Sequence, residues 1–354
     1  MTNRVLGAST QLHAGTSTAR IMWSIALSLL PAGAWGVWVF GLRSLVVIAV
    51  AVVAAIAAEL VVGIFRRIVT IWDGSAVLTG LLIGYMMGPG VPLYVPLAAS
   101  FFAIIVIKGT FGGLGANWMN PAAGGQAFAY ASWGTNAAWW APVRFPGPPH
   151  GLVQPPLAEL AKGGSGAAPA DGPFALLSAA HYPATSMAHN VSAWLASEVG
   201  VRIDPHAIDL LVGADVGWIG AVSVPLLCAG AAYLLAARLI EWRIPLSFGA
   251  SFFAFVWLFD GIRSGGSYLL GWPILNLLTG GFILSVFYLA TDPVTSPLTR
   301  AGTVAYAVAL GLVAGVLRVF GRSEEAVVFA VILMNMAVPA INQLVEGRRR
   351  AHRR

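Results

Sequence analysis

The chain has 354 residues, of which 58% are hydrophobic and only 10% charged. A soluble globular domain carries about 25% charged residues, so water is not the main solvent for this sequence. The net charge of +6 sits largely in the tail arginines Arg348, Arg349, Arg350, Arg353 and Arg354; beside a hydrophobic span such a run reads as an anchor to anionic lipid rather than a nucleic-acid site. The single cysteine, Cys228, makes no intrachain disulfide and cannot by itself build a zinc or iron–sulfur site.

A bilayer core of about 30 Å needs about 20 apolar residues per helix. On that measure ten candidate segments follow one another, at roughly 21–41, 45–65, 76–88, 92–110, 121–142, 211–237, 244–262, 271–290, 301–320 and 326–344. The first continues as a full span rather than a cleavable signal. The third, Ala76 to Gly88, reaches only ~20 Å and stops at Gly88-Pro89-Gly90, the pattern of a half-helix lining an internal site. The expected fold is therefore an all-α polytopic membrane protein of about ten transmembrane helices, with short broken ones among them.

Between the fifth and sixth segments lies the one long polar stretch. It contains Gly163-Gly164-Ser165-Gly166 and four of the six histidines, His150, His181, His189 and His206, with no short metal-ligand spacing. The chain divides into a first membrane half (1–142), a loop (143–208), a second membrane half (209–346) and a basic tail (347–354). With an even number of spans both termini share a side, and that side carries 13 of the 20 Lys and Arg, Lys108 among them. The positive-inside rule puts the termini in the cytoplasm and the loop outside, as expected of a multi-pass protein of a bacterial inner membrane.

Four polar, glycine-rich clusters interrupt the apolar background: Asp73-Gly74-Ser75 through Thr79-Gly80, Gly112-Gly113-Leu114-Gly115-Ala116-Asn117-Trp118-Met119-Asn120-Pro121, Gly217-Trp218-Ile219-Gly220-Ala221-Val222-Ser223, and Ala290-Thr291-Asp292-Pro293-Val294-Thr295-Ser296-Pro297. Each sits at an expected helix end, where free backbone groups either bind a polar ligand or are capped by Asn120 and Asp292. Four such clusters in one chain favour a shared site, since polar groups at membrane depth are costly. The first cluster pairs with the third and the Asn-Pro turn with the Asp-Pro turn, which at five spans per half gives two inverted five-helix repeats. The spacings differ, however: 45 residues separate Ser75 from Asn120 and 69 separate Ser223 from Asp292.

These residues resemble a known family. Asp-Gly-Ser, Gly-Gly-Leu-Gly and Asn-Pro-Ala over residues 73–125 are similar to the NqrB/RnfD family. So is the block at 272–342, with Gly280-Gly281, Ala290-Thr291-Asp292-Pro293, Arg318-Val319-Phe320-Gly321 and Asn335 ahead of Pro339; His13-Ala14-Gly15-Thr16-Ser17 fits the N-terminal segment. The chain starts close to its first span, which favours the RnfD branch over NqrB, the subunit of Na+-translocating NADH:quinone reductase. The resemblance implies a membrane subunit of an Rnf-type complex, in which ferredoxin:NAD+ electron transfer is coupled to Na+ or H+ translocation. Such a subunit is not catalytic alone, works among other membrane and peripheral subunits, and relays electrons through bound flavin. Family members carry FMN linked through its phosphate to a threonine, with riboflavin at a noncovalent site. The matching stretch here is Tyr182-Pro183-Ala184-Thr185, so Thr185 is the candidate for FMN. Tyr182 and Pro183 depart from the motif, Ala179 stands where an aspartate is usual, and Ala221 stands where the family often has Glu. Asn117, Asn120, Asp292 and Thr295 are the candidates for a second flavin or an ion. The rival class is a channel or transporter of inverted-repeat type without redox function. No strand–GxGxxG–helix unit is present, so any nicotinamide would be bound by partners.

Overall fold

The computed structural model describes residues 17–67, 70–134, 139, 140, 155, 156, 160, 172–179, 182, 184–263, 267–297, 299–321 and 325–351. The segment at 13–16, most of 143–171 and the last three residues lie outside the described set, as do His150, His181 and Pro183. No strand occurs among the described residues. Helices α1 (Thr18–Phe40) and α2 (Leu42–Arg66) are separated by Gly41 alone, whose φ of 89° supplies the reversal. Then follow α3 (Ser75–Tyr85), α4 (Tyr94–Phe101, continued as a π-helical stretch Phe102–Gly109) and α5 (Pro121–Trp133). Between the halves lie α6 (Pro173–Ala179), α7 (Ser186–Trp194) and α8 (Pro205–Val212). The second half holds α9 (Val224–Ala236), α10 (Arg243–Arg263), α11 (Pro273–Leu278), α12 (Phe282–Leu284, continued as π-helix Ser285–Leu289), α13 (Arg300–Gly321) and α14 (Ala326–Ala351).

Among the described residues five helices are long and apolar enough to cross a membrane: α1, α2, α10, α13 and α14. The other expected segments are shorter. The run at 121–142 stops at Gly134, whose φ of 63° ends α5. The run at 211–237 is two helices, because Gly213 (φ 86°) ends α8 and the chain resumes helix only at Val224. The run at 271–290 is split at Gly280 and Gly281, both left-handed. Apolar composition continues through these breaks, so hydropathy alone does not mark them.

A broken helix inside a bilayer must find partners for its free carbonyls. At the end of α3 three consecutive carbonyls do so. Tyr85 O accepts from Gly220 N and Met87 O from Ile219 N, each at 3.0 Å, while Met86 O accepts from Gln126 Nε2 at 2.9 Å. The break in the first half is thus closed by the break in the second. Tyr85 also donates to Leu29 O on α1, and Tyr288 donates to Leu227 O on α9. Contact between helices is close where glycine allows it: a Cβ at Gly36 would lie 1.8 Å from Ile219 O, and one at Gly220 would lie 2.0 Å from the Tyr85 ring. In the second half α10 packs along α13, and α13 against α14, where the Tyr306 hydroxyl lies 2.9 Å from Asn335 Oδ1.

Candidate functional site

By alternation along the chain, the starts of α1, α3, α5 and α13 and the ends of α2 and the 102–109 stretch share one face, here the terminal face. A cavity opens there. Its apolar walls come from Met22, Ile25, Leu78, Leu82 and Phe287, and Ser75, Lys108, Asn117, Asn120 and Asp292 are among its polar groups. The first, second and fourth clusters of the sequence therefore meet at one place. Asn120 Nδ2 lies 3.3 Å from Asp292 Oδ2 across 172 residues of chain.

Of the two readings of these turns, helix capping is seen at Asn120, while at Asp292 the bond closes a turn that starts no helix. Asn120 Oδ1 caps α5 by accepting from Ala122 N (2.9 Å) and Ala123 N (3.2 Å), and Asp292 Oδ1 accepts from Val294 N at 3.0 Å. Thr295 is a side-chain partner of Asp292 and does not line the cavity. Asn117 differs: it is buried, lines the cavity, and its Oδ1 accepts nothing. An orphaned buried acceptor costs about 1–3 kcal/mol, so this one suits a ligand with a donor edge. Trp118 is exposed beside Phe111 and does not line the cavity.

Lys108, which the sequence reading took only as part of the positive bias, completes the wall, with Glu59 behind it. Lys108 is not a solvated anchor. It is 3% exposed and its Nζ lies 2.7 Å from Oε2 of Glu59, itself 4% exposed, and 2.6 Å from Ser75 Oγ. Ser75 in turn donates to Asp73 Oδ1 at 2.5 Å, and the Thr70 hydroxyl bonds the other oxygen of Glu59. Glu59 lies inside an apolar run of α2, which was the available signal. The described residues hold no cluster of ligands suited to a metal ion.

Thr185 lies elsewhere, at the N-terminus of α7. It is buried, its hydroxyl donates to Asp209 Oδ1 at 2.6 Å and accepts from Ala188 N at 3.1 Å, and its backbone N–H bonds Asp209 Oδ2 at 2.7 Å. Next to it Tyr182 donates to Asp215 Oδ1 at 2.6 Å, and His206 Nε2 donates to Tyr182 O at 3.0 Å. The carboxylate beside Thr185 thus comes from 24 residues downstream. Burial pushes the Asp209 carboxyl above the usual carboxylate range, against the Thr185 hydrogen bonds and the charges of His206 and His189. The residues fit a phosphoester at Thr185 Oγ1 with one condition. The ester oxygen still accepts from Ala188 N but has no proton for Asp209, so Asp209 must hold one itself, as its burial favours. The helix N-terminus and the neighbouring histidines suit a phosphate. A second cavity adjoins this network through Asp215 and is floored by Trp218, Ala221, Thr279, Gly280 and Gly281.

A chain with no strand among its described residues, with five helices long and apolar enough to cross a membrane and broken helices around a cavity, belongs among the polytopic membrane proteins. The family is narrower still. Residues 5–350 match the NQR2, RnfD, RnfE family, and the chain belongs to it. It is similar to the D subunit of the Na(+)-translocating ferredoxin:NAD(+) oxidoreductase complex of Acetobacterium woodii, at 31% identity over 98% of this chain and 95% of that one. It is equally similar, at 31%, to the D subunit of the proton-translocating ferredoxin:NAD(+) oxidoreductase complex of Clostridium ljungdahlii, over 96% of this chain and 94% of the other. Against the D subunit of the ion-translocating oxidoreductase complex of Escherichia coli (strain K12 / DH10B) the identity is 31% over 99% of both.

Proposed function

We propose that this chain is the D-type membrane subunit of an Rnf-type ion-translocating ferredoxin:NAD+ oxidoreductase, and that it relays electrons through two flavins. A noncovalent flavin, riboflavin in this reading, is held in the terminal-face cavity, and FMN is held at Thr185. The observation that carries the reading is the Asn117 Oδ1 left without a donor in a cavity with apolar walls that Lys108, Asn120 and Asp292 also line. An isoalloxazine ring offers broad apolar faces and an edge of donors and acceptors, which suits such a wall. When bound, flavin supplies exchange of one or two electrons; this chain's residues bind and orient it and set the charge around it. Ferredoxin and NAD+ are handled by partner subunits, other membrane and peripheral members of the complex.

The K/R bias supports cytoplasmic termini in a bacterial inner membrane, with the 143–208 loop outside. The recurring order of packing supports inverted repeats: α1 lies against α9, α2 packs with α3 and α4, and α10 packs with α11 and α13. The coupling ion is not assigned by likeness, since relatives named for Na+ and for protons are equally similar to this chain. A channel or transporter without redox function shares broken helices and repeats but holds no flavin.

The test is the absorption spectrum and intact mass of the detergent-purified complex before and after denaturation. One flavin released by denaturation, and reduced in amount by Asn117→Leu, is the expected result. A complex that releases no flavin from this chain would return the cavity to the transporter reading.

A further inference from the structure

The buried charge pair at the cavity wall has no role in holding the helices together that an apolar pair would not fill. Replacing a buried ion pair with well-packed hydrophobic residues is often neutral or stabilising, and ionisable groups inside a membrane usually serve a function. Glu59 and Lys108 come from α2 and the π-helical stretch 102–109 and are both almost fully buried. Their placement is unequal. Lys108 lines the cavity and Glu59 does not. Both Glu59 oxygens are engaged away from the cavity, one with Thr70 and one with Lys108. An ammonium has three donors; two are given to Glu59 and Ser75, so one remains on a residue that lines the cavity.

We propose that Lys108 is a positioning residue that sets the electron affinity of the molecule in this cavity, with Glu59 behind it as the counter-charge that trims the effect. The inference rests on the flavin reading above and deepens it. The ligand lies with an acceptor edge toward Lys108 and Ser75 and a donor edge toward Asn117 Oδ1. An arriving electron brings negative charge into a low-dielectric wall, where a fixed ammonium stabilises it far more than it would in water. The other charged groups around the wall are Asp292, tied to Asn120 and Val294, and Asp73, tied to Ser75. Arg66 approaches the turn at Gly113. Among the charged residues that line the cavity only Lys108 is positive.

The experiment is a potentiometric titration of the noncovalent flavin's absorbance in the intact detergent-purified complex, with flavin content measured alongside. Lys108→Met lowers the one-electron affinity tenfold or more, about 59 mV for a single electron. Glu59→Gln raises it, because Lys108 then acts uncompensated. Lys108→Arg, which keeps the charge, stays within about threefold, roughly 30 mV on the same scale. Lys108→Met alone strands a buried carboxylate, so the double variant Glu59→Gln with Lys108→Met supplies a neutral pair that still folds; its affinity falls, by less than in the single variant. Opposite signs for the two single variants separate a charge effect from a structural one, which would move both the same way. With flavin retained, an unchanged potential in Lys108→Met, shifts of the same sign in both single variants, or a double variant equal to the wild type would overturn the role of Lys108 alone. A wild-type complex without noncovalent flavin would remove the cavity reading and this inference with it.

Discussion

Thr185→Ala takes away one hydroxyl that does two things, and the structure gives the size of the first. In protein that carries no attached flavin, that hydroxyl caps α7 and donates to Asp209. Loss of an N-cap costs about 1 kcal/mol. Asp209 keeps the backbone N–H of Thr185 but loses its 2.6 Å donor, which costs about 1–2 kcal/mol for a buried carboxyl. The two terms share atoms and do not add fully, so local destabilisation of about 2–3 kcal/mol is expected, a factor of roughly 30–150 in the opening of residues 184–212. Limited proteolysis of the purified complex reads that factor directly when opening is fast relative to cleavage. Thr185→Ser keeps both hydrogen bonds and stays within about threefold of the wild type. The second role is read in the flavin-loaded complex: in-gel flavin fluorescence that survives denaturation disappears in Thr185→Ala. Fluorescence unchanged in that variant refutes Thr185 as the attachment residue. Proteolysis unchanged refutes the capping network.

Gly220→Ala pushes a methyl into the Tyr85 ring at the junction of the halves and costs about 3 kcal/mol or more, whereas Gly249→Ala on α10, where a Cβ meets nothing within 4 Å, is neutral within about 0.5 kcal/mol; thermal unfolding in detergent compares them. Because the folded carboxyl of Asp209 is raised above its unfolded value of about 3.9, the stability it contributes is present in full below that pH and is lost as pH rises through the raised value. Proteolytic opening of residues 184–212 should therefore increase with pH from about 4 upward, and Asp209→Asn should remove that dependence. A reporter fused after Arg354 is active in a cytoplasmic format only; activity in a periplasmic format overturns the proposed orientation.

The long apolar helices were legible because a run of about 20 apolar residues has few other uses. The cavity was legible in part. Asn117, Asn120 and Asp292 stood out as polar groups beside glycine or proline in an apolar chain, and they do converge. Their partners did not stand out. Lys108 reads in sequence as a basic residue at a helix end, the usual mark of an anchor, and only its burial against Glu59 reveals otherwise. Asp209 lies 24 residues from Thr185, beyond any local motif. Helix breaks at Gly213 and at Gly280-Gly281 were missed because both sides of each break stay apolar.

The breaks that make the two cavities also keep them apart. The end of α3 and the 217–222 turn lie between the terminal-face cavity and the one beside Asp215, joined by the hydrogen bonds from Ile219 and Gly220 to Met87 and Tyr85. Ile83 and Ile219 are fully buried there, and Tyr85 is nearly so. Gly36 and Gly220 leave no room for even a methyl group. A packed layer of this kind has no path for an ion as it stands, and an ion crossing it needs the 85–87 and 219–220 junction to part. Parting exposes carbonyls of Tyr85 and Met87 that have no other partners, at a cost of about 1–3 kcal/mol each, unless the ion itself takes them as ligands. Carbonyl oxygens at a helix break are the groups that bind cations at membrane depth. If a coupled ion passes through this chain, this junction is where it would be met, and Gly220→Ala, which wedges it, should then impair ion movement at any level of folded protein that survives the substitution.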